Sequence, residues 1–260
     1  MAHAHMAEML DLDAEVLHEY HREVITWVSD GLPADARVVD LGAGTGTGTI
    51  ALARALPSAT IVAVDVDDEM LGHVRHRAAA LGGRVRTVAA DLDVPWPADL
   101  GPADLIWASA SMHHMADPGF AVAQAFATLR PGGRFAITEL DSFPRFLTDP
   151  AEVAVEDQGQ AAMAARREEG GLHMHENWGD RLTAAGFTLD AERHFDIDLR
   201  PPLPAAAARY AQVSIERMRH GLEDRLSAAD LAALDKIIAD LPARTDLSVR
   251  TNRTVWLAHR

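Results

Sequence analysis

The chain has 260 residues, 48% of them hydrophobic and 24% charged, with a formal charge of −15 and no cysteine. That apolar content suffices for one large folded domain, or for one domain carrying a long insertion. The missing cysteines exclude a disulfide framework, a thiolate metal site, a cysteine nucleophile and iron–sulfur radical chemistry, and the acidic balance argues against a nucleic-acid substrate.

Residues 13–31 read as a helix: Val16, Leu17, Tyr20, Val24, Ile25, Trp27 and Val28 recur near helical spacing, and Gly31 and Pro33 end it. Residues 37–41 form a first strand that runs into Gly42, Gly44, Gly46 and Gly48 and then an apolar helix over 50–56. Strand, glycine loop and helix are the first half of a βαβ unit. Residues 61–65 are a second strand, ending in Asp65, and 66–81 a helix opened by Asp67, Asp68 and Glu69 and closed by Gly82 and Gly83. A third strand over 84–89 has Asp91 just beyond it, and a fourth over 103–108 leads into Ser109-Ala110-Ser111-Met112-His113-His114. Asp117 and Pro118 start a helix over 118–129, residues 130–133 make a turn, and 134–140 are a fifth strand. This alternation means an α/β fold with a doubly wound parallel sheet. Beyond Asp141 the pattern loosens, with helices expected over 150–169, 175–185, 205–221 and 227–241 and strands over 187–199 and 250–258. No apolar run approaches the ~20 residues that a membrane span requires. The first residues lack the basic and apolar parts of a secretory signal, so the cytoplasm is the expected compartment.

The glycine spacing narrows the ligand. A dinucleotide fingerprint needs G-x-G-x-x-G, but counting from Gly42 or Gly44 the third position falls on Thr47 or Thr49. Asp40-Leu41-Gly42-Ala43-Gly44-Thr45-Gly46 instead resembles the D-x-G-x-G-x-G loop of class I S-adenosylmethionine-dependent methyltransferases. Leu129-Arg130-Pro131-Gly132-Gly133 is similar to their L-[KR]-P-G-G turn, and Leu182-Thr183-Ala184-Ala185-Gly186-Phe187 to their L-x-x-A-G-F step into strand six. The resemblance covers roughly residues 37–140 and leaves the helical stretch between strands six and seven unplaced. It implies a Rossmann-like, mostly parallel seven-stranded sheet with an antiparallel last strand. A helical lead-in over 1–35 would precede a methyltransferase domain over 36–260, with helical lid insertions at about 143–180 and 201–246. It also implies S-adenosyl-L-methionine as cofactor.

Asp40, Asp65 and Asp91 each stand at or just past the end of a strand, a rim that would repel a pyrophosphate and suits a sulfonium and an ammonium. Gly42, Gly44 and Gly46 let the main chain pass under the ribose and the amino-acid arm. On the family pattern Asp65 accepts the ribose hydroxyls, Val66 and Met70 pack the adenine, and Asp91 takes the adenine amino group with Leu92 beside it. The Ala108 carbonyl or Ser109 hydroxyl takes the ammonium, and Asp40 orients the loop from behind.

Methyl transfer from sulfur is an in-line displacement that needs alignment above all, and a base only where the acceptor carries a proton. His113 and His114, in a segment that resembles the family's H-H-x-x-D-P, and Glu139 at the end of strand five are the candidate catalytic residues. Tyr20, Asp141, Phe143, His173, His175, Trp178 and Tyr210 are the candidate lining of the acceptor pocket. His173 and His175 alternate like metal ligands but lack an assignable third, so no metal is expected. The expected function is methyl transfer to a small-molecule acceptor, O- or N-directed, in a setting such as bacterial secondary metabolism. The expected partners are that acceptor and no nucleic acid or membrane, with a homodimer left open. A nicotinamide oxidoreductase is disfavoured by the glycine spacing, and a protein or nucleic-acid methyltransferase by the charge and the lack of N-P-P-[YF] after strand four. A cofactor-binding protein put to another use stays open.

Overall fold

The computed structural model describes residues 2–260, with side chains from residue 5 onward. One seven-stranded sheet contains β1 (Arg37–Leu41), β2 (Thr60–Asp65), β3 (Val85–Ala89), β4 (Ala103–Ser109), β5 (Leu129–Leu140), β6 (Thr188–Leu199) and β7 (Val249–His259). Their order is β3-β2-β1-β4-β5-β7-β6. β1 pairs in parallel with β2 and β4, β2 with β3, and β4 with β5. β7 runs the other way beside β5: Gly132 N–H donates to the Arg260 carbonyl at 2.9 Å, and Asp141 N–H to the Asn252 carbonyl at 3.0 Å. The doubly wound sheet with an antiparallel last strand is thus what the chain forms.

The central strands β1 and β4 are buried almost throughout, because helices cover both faces, so they read as continuous apolar runs rather than alternating ones. β6 lies at the sheet edge and is largely exposed. Its Asp190, Glu192, Arg193, Asp196 and Asp198 give it the charged character that protects an edge from further pairing. The helices are α1 (Ala2–Val16), α2 (His18–Ser29), α3 (Thr47–Ala55), α4 (Asp68–Ala78), α5 (Pro118–Thr128), α6 (Pro150–Glu169), α7 (Trp178–Ala184), α8 (Ala207–Gly221) and α9 (Ala228–Asp240). Several start on side-chain caps: Asp67, Asp117, Asp149, Asn177 and Ser227 each accept a backbone N–H from the first turn. Among the described residues no helix is long and apolar enough to cross a membrane.

Three elements differ from expectation. The helix expected over 13–31 begins at Ala2, in a run of alanine, methionine and leucine with good helix propensity, and breaks at Leu17. The helix expected from residue 175 begins only at Trp178, because the Asn177 side chain caps it by accepting from Asp180 N–H at 3.1 Å. β5 starts at Leu129 and contains the 130–133 turn as an irregularity: Gly132 has φ +77°, and the pairing with β4 shifts register between Ala103 and Leu105.

The chain divides into two compact units. The larger comprises residues 19–139, 175–194 and 254–260, with a core that includes Val39, Leu41, Ile106, Phe135, Phe187 and Trp256. The smaller comprises residues 1–18, 140–174 and 195–253 and is mainly helical. In it α1 packs against α8, and the buried Tyr210 hydroxyl donates to Asp13 Oδ1 at 2.5 Å while Arg253 reaches the same oxygen at 2.6 Å. Burial, then the Asp13 charge, holds the Tyr210 phenol well above its usual pKa. Within the expected 1–35 lead-in, α1 falls in the helical unit and α2, from Glu19 onward, in the sheet unit.

Candidate active site

Strand order reverses between β1 and β4, so a crevice opens at their carboxyl ends, where open α/β sheets bind ligands. The loop after β1 forms its floor. Gly42, Gly44 and Gly46 have φ of +65°, +52° and +84°, a region that side chains avoid. Space also demands glycine. A Cβ on Gly42 would lie 2.5 Å from Ser111 Cβ, and one on Gly46 2.9 Å from Val74 Cγ2. Ser111 closes the contact by donating its hydroxyl to the Leu41 carbonyl at 2.8 Å. Gly48 is small for a different reason, since a Cβ there would meet Trp107 Nε1 at 2.8 Å.

Asp65, at the end of β2, accepts Gly44 N–H on Oδ2 at 2.8 Å and Asp67 N–H on Oδ1 at 2.9 Å. Each oxygen keeps a lone pair, so the carboxylate can still take two hydroxyls. Beside it Val66 is 72% exposed above the buried Met70, an apolar surface on which a flat base can lie. Asp91 is exposed and accepts Asp93 N–H at 2.9 Å, while Leu92 is buried with its carbonyl held by Trp96 Nε1 at 3.0 Å. Asp40 is buried behind the loop, where Oδ2 accepts the Thr49 hydroxyl at 2.5 Å. Burial pushes the Asp40 carboxyl up to about 7; the Thr49 hydrogen bond opposes this and the Asp65 charge adds to it. A carboxyl whose charge is suppressed by burial gains most from a cation arriving nearby.

After β4, Ala108 is buried and Ser109 half-buried. Ala110 takes φ +52°, rare for a non-glycine residue, and its N–H donates to the Thr138 carbonyl at 2.8 Å. This bend delivers His113 to Glu139 at the end of β5: His113 Nδ1 lies 2.6 Å from Oε2, and the His113 N–H donates to Oε1 at 3.2 Å. Both side chains are buried. With Nδ1–H directed at the carboxylate, Nε2 is left as the ring's acceptor. His114 is exposed, with its ring centroid 4.1 Å from that of His113. Tyr20 is buried, and its hydroxyl lies 2.6 Å from Thr138 Oγ1, bracing the same end of β5.

The acceptor-side expectations divide. Trp178 is 1% exposed and packs in the sheet core, so it is a core residue and not a pocket wall. Tyr210 is likewise corrected: 2% exposed, its hydroxyl engaged by Asp13, it packs edge-on against Phe146 inside the helical unit. Asp141, Phe143 and His173 also belong to the helical unit and His175 to the sheet unit. Asp141 and His175 are exposed. Among the described residues no group of three or more His, Asp or Glu side chains is placed to hold a metal ion. Ser111, Ala110 and Thr49 were not legible as site residues, because their roles depend on which strands become neighbours.

A family profile described as a methyltransferase domain matches residues 38–133. Over those residues the chain is similar to the class I S-adenosylmethionine-dependent methyltransferases. S-adenosylmethionine is the cofactor that this similarity supports, and the glycine floor, the open lone pairs of Asp65 and the charge-starved Asp40 fit it. Trans-aconitate 2-methyltransferase of Variovorax paradoxus (strain S110) is 38% identical over 111 residues, which is 43% of this chain and 41% of that protein. The 27-O-demethylrifamycin SV methyltransferase of Amycolatopsis mediterranei (strain S699) is 26% identical over 192 residues, 73% of this chain and 67% of that one. The solved structure of the [4+2]-cyclase SpnF superposes with a TM-score of 0.56 at 20% identity, covering 92% of this chain and 80% of that one. The chain thus spans less than half the length of the first of these relatives.

Proposed function

We propose that the protein transfers the sulfonium methyl of S-adenosylmethionine to an oxygen or nitrogen of a small-molecule acceptor, in the cytoplasm and in a setting such as secondary metabolism. The observation that carries the transfer step is the buried His113–Glu139 pair, 2.6 Å apart, at the carboxyl ends of β4 and β5. The relatives' names, for trans-aconitate and a demethylrifamycin, support a small acceptor.

Bound S-adenosylmethionine supplies an electrophilic methyl on a positively charged sulfur. The chain does the rest. Gly42, Gly44 and Gly46 carry the amino-acid arm and ribose. Asp65 accepts the ribose hydroxyls, Val66 and Met70 flank the adenine, and Asp91 accepts from its amino group. The Ala108 carbonyl or Ser109 hydroxyl receives the ammonium, and Asp40 balances the positive charge from below. Nε2 of His113 takes the acceptor's proton, and Glu139 steadies the imidazolium that results.

A second reading is favoured by one observation: a structure of this fold bears the name of a cyclase, and fold alone does not fix a reaction. Release of S-adenosylhomocysteine, on incubating the full chain with S-adenosylmethionine and small-molecule fractions, separates the two. Acceptor-dependent release that drops ~100-fold or more in His113→Gln supports methyl transfer. Cofactor binding by calorimetry with no release from any fraction overturns it and leaves the second reading.

A further inference from the structure

Inside the sheet unit, Asp40 stands in a row of residues that strand pairing brings into register. Across β2, β1, β4 and β5 the row reads Ala63, Asp40, Trp107 and Ala136. Residues in register on parallel strands point to one face, so Asp40 and Trp107 are neighbours flanked by two alanines that carry no polar side chain. Helix α3 closes that face. A single point, the place of a Cβ on Gly48, lies 2.8 Å from Trp107 Nε1 and 3.5 Å from Asp40 Oδ2. Trp107 is 2% exposed, and among the described residues its Nε1–H has no hydrogen-bond partner. Trp96, by contrast, gives its Nε1–H to the Leu92 carbonyl at 3.0 Å. A buried donor left unmet is costly, and phenylalanine would fill the same core position without that cost. Asp40 is the one side chain of the row that can accept. Its Oδ2 already takes the Thr49 hydroxyl, but a carboxylate offers about four acceptor sites, so capacity remains.

We infer that Trp107 is a positioning residue of the cofactor floor, whose indole N–H donates to Asp40 once that carboxyl carries its charge. A bound sulfonium and ammonium select the charged form, so the indole readies the floor for the cofactor without touching it. The proton is accounted for: it leaves Asp40 for solvent as the cofactor binds, and the indole N–H then faces a charged acceptor, which makes the stronger bond. Burial and the Asp65 charge oppose ionisation of Asp40, while the Thr49 hydroxyl favours it. The indole adds a second donor on the favourable side. The inference rests on S-adenosylmethionine binding at this floor and is independent of which acceptor is methylated.

The test is calorimetry of S-adenosylmethionine binding to the full chain from pH 5.5 to 9, for the parent, Trp107→Phe, Asp40→Asn and the double variant. A hydrogen bond to a charged group displaces a titration by about one pH unit or more. Its loss in Trp107→Phe should raise the pH at which affinity levels off by about one unit, weakening binding about fivefold at pH 7 and hardly at all at pH 9. In the Asp40→Asn background Trp107→Phe should change affinity by less than about twofold at every pH. Trp256 Nε1, on β7 and three strands from β1, also lacks a partner among the described residues, and Trp256→Phe should keep the parent's profile. A second readout leaves Trp107 in place. Its indole proton resonance, assigned by elimination among the 5 tryptophans, should move downfield as the ligand-free chain is titrated from pH 5.5 to 8.5, and should stay put in Asp40→Asn. Where Trp107→Phe does not fold, that resonance decides alone. An unchanged pH profile in Trp107→Phe, a loss equal at every pH or retained in the Asp40→Asn background, or a resonance indifferent to pH would overturn the inference. Failure of the parent to bind S-adenosylmethionine would instead overturn the reading beneath it.

Discussion

Asp40→Asn tests the electrostatics of the cofactor floor. Asparagine keeps an oxygen to accept from Thr49 and removes the ionisation. In the folded chain the Asp40 carboxyl titrates at about 7, against 3.8 for an unperturbed aspartate. Between those values the folded chain binds more protons than the unfolded one, so stability falls as pH rises and stays lowered above the folded value. The gap from 3.8 to about 7, at about 1.36 kcal/mol per pH unit, is a loss of about 4 kcal/mol at most. Urea unfolding from pH 5 to 8.5 should show the parent losing stability through this window, while Asp40→Asn lacks that component and is the more stable of the two at pH 8. The ligand reverses the sign. A sulfonium and an ammonium favour ionised Asp40, so binding expels a proton. The parent's affinity should rise toward pH 7, by up to ~10-fold per pH unit, and level off above it. The variant should bind more weakly at pH 8 and without this dependence. Parallel unfolding profiles for the two proteins would refute the reasoning.

Asp65→Ala removes two charge-assisted acceptors and should weaken S-adenosylmethionine by about 1.5–3 kcal/mol, read by calorimetry. Gly46→Ala combines a left-handed φ of +84° with a Cβ 2.9 Å from Val74 Cγ2; a loss of about 2–4 kcal/mol should appear in denaturant unfolding. Glu139→Gln leaves His113 without its anionic partner and should lower kcat about 100-fold while KM and cofactor affinity change little, so a fall confined to KM would argue against the proton-transfer role.

Fold and cofactor floor were largely legible in the sequence because both rest on local chemistry. Strands buried on two faces are unbroken apolar runs, and a tight turn after β1 must contain glycine, so 37–41 and 42–46 announce themselves. The glycine spacing disfavours a dinucleotide, and the loop's resemblance to the family implies S-adenosylmethionine in its place. The acceptor side was less legible. Trp178 and Tyr210 read equally well as pocket or core, and only their neighbours decide: Trp178 meets the sheet core and Tyr210 meets Asp13. The break at Leu17 carries no glycine or proline to mark it. The pairing of His113 with Glu139 joins residues 26 apart in the chain and exists only because β4 and β5 are neighbours.

The Ser111 contact has a mechanical consequence. Its hydroxyl holds the Leu41 carbonyl, its Cβ fills the space above Gly42, and two residues later the same short segment carries His113. On the function proposed above, the base and the cofactor's seat are therefore mounted on one bracket. A substrate that tugs on the imidazole strains the shelf beneath the ribose, so the two ligands should sense each other's arrival as a change in affinity, without either touching the other's residues.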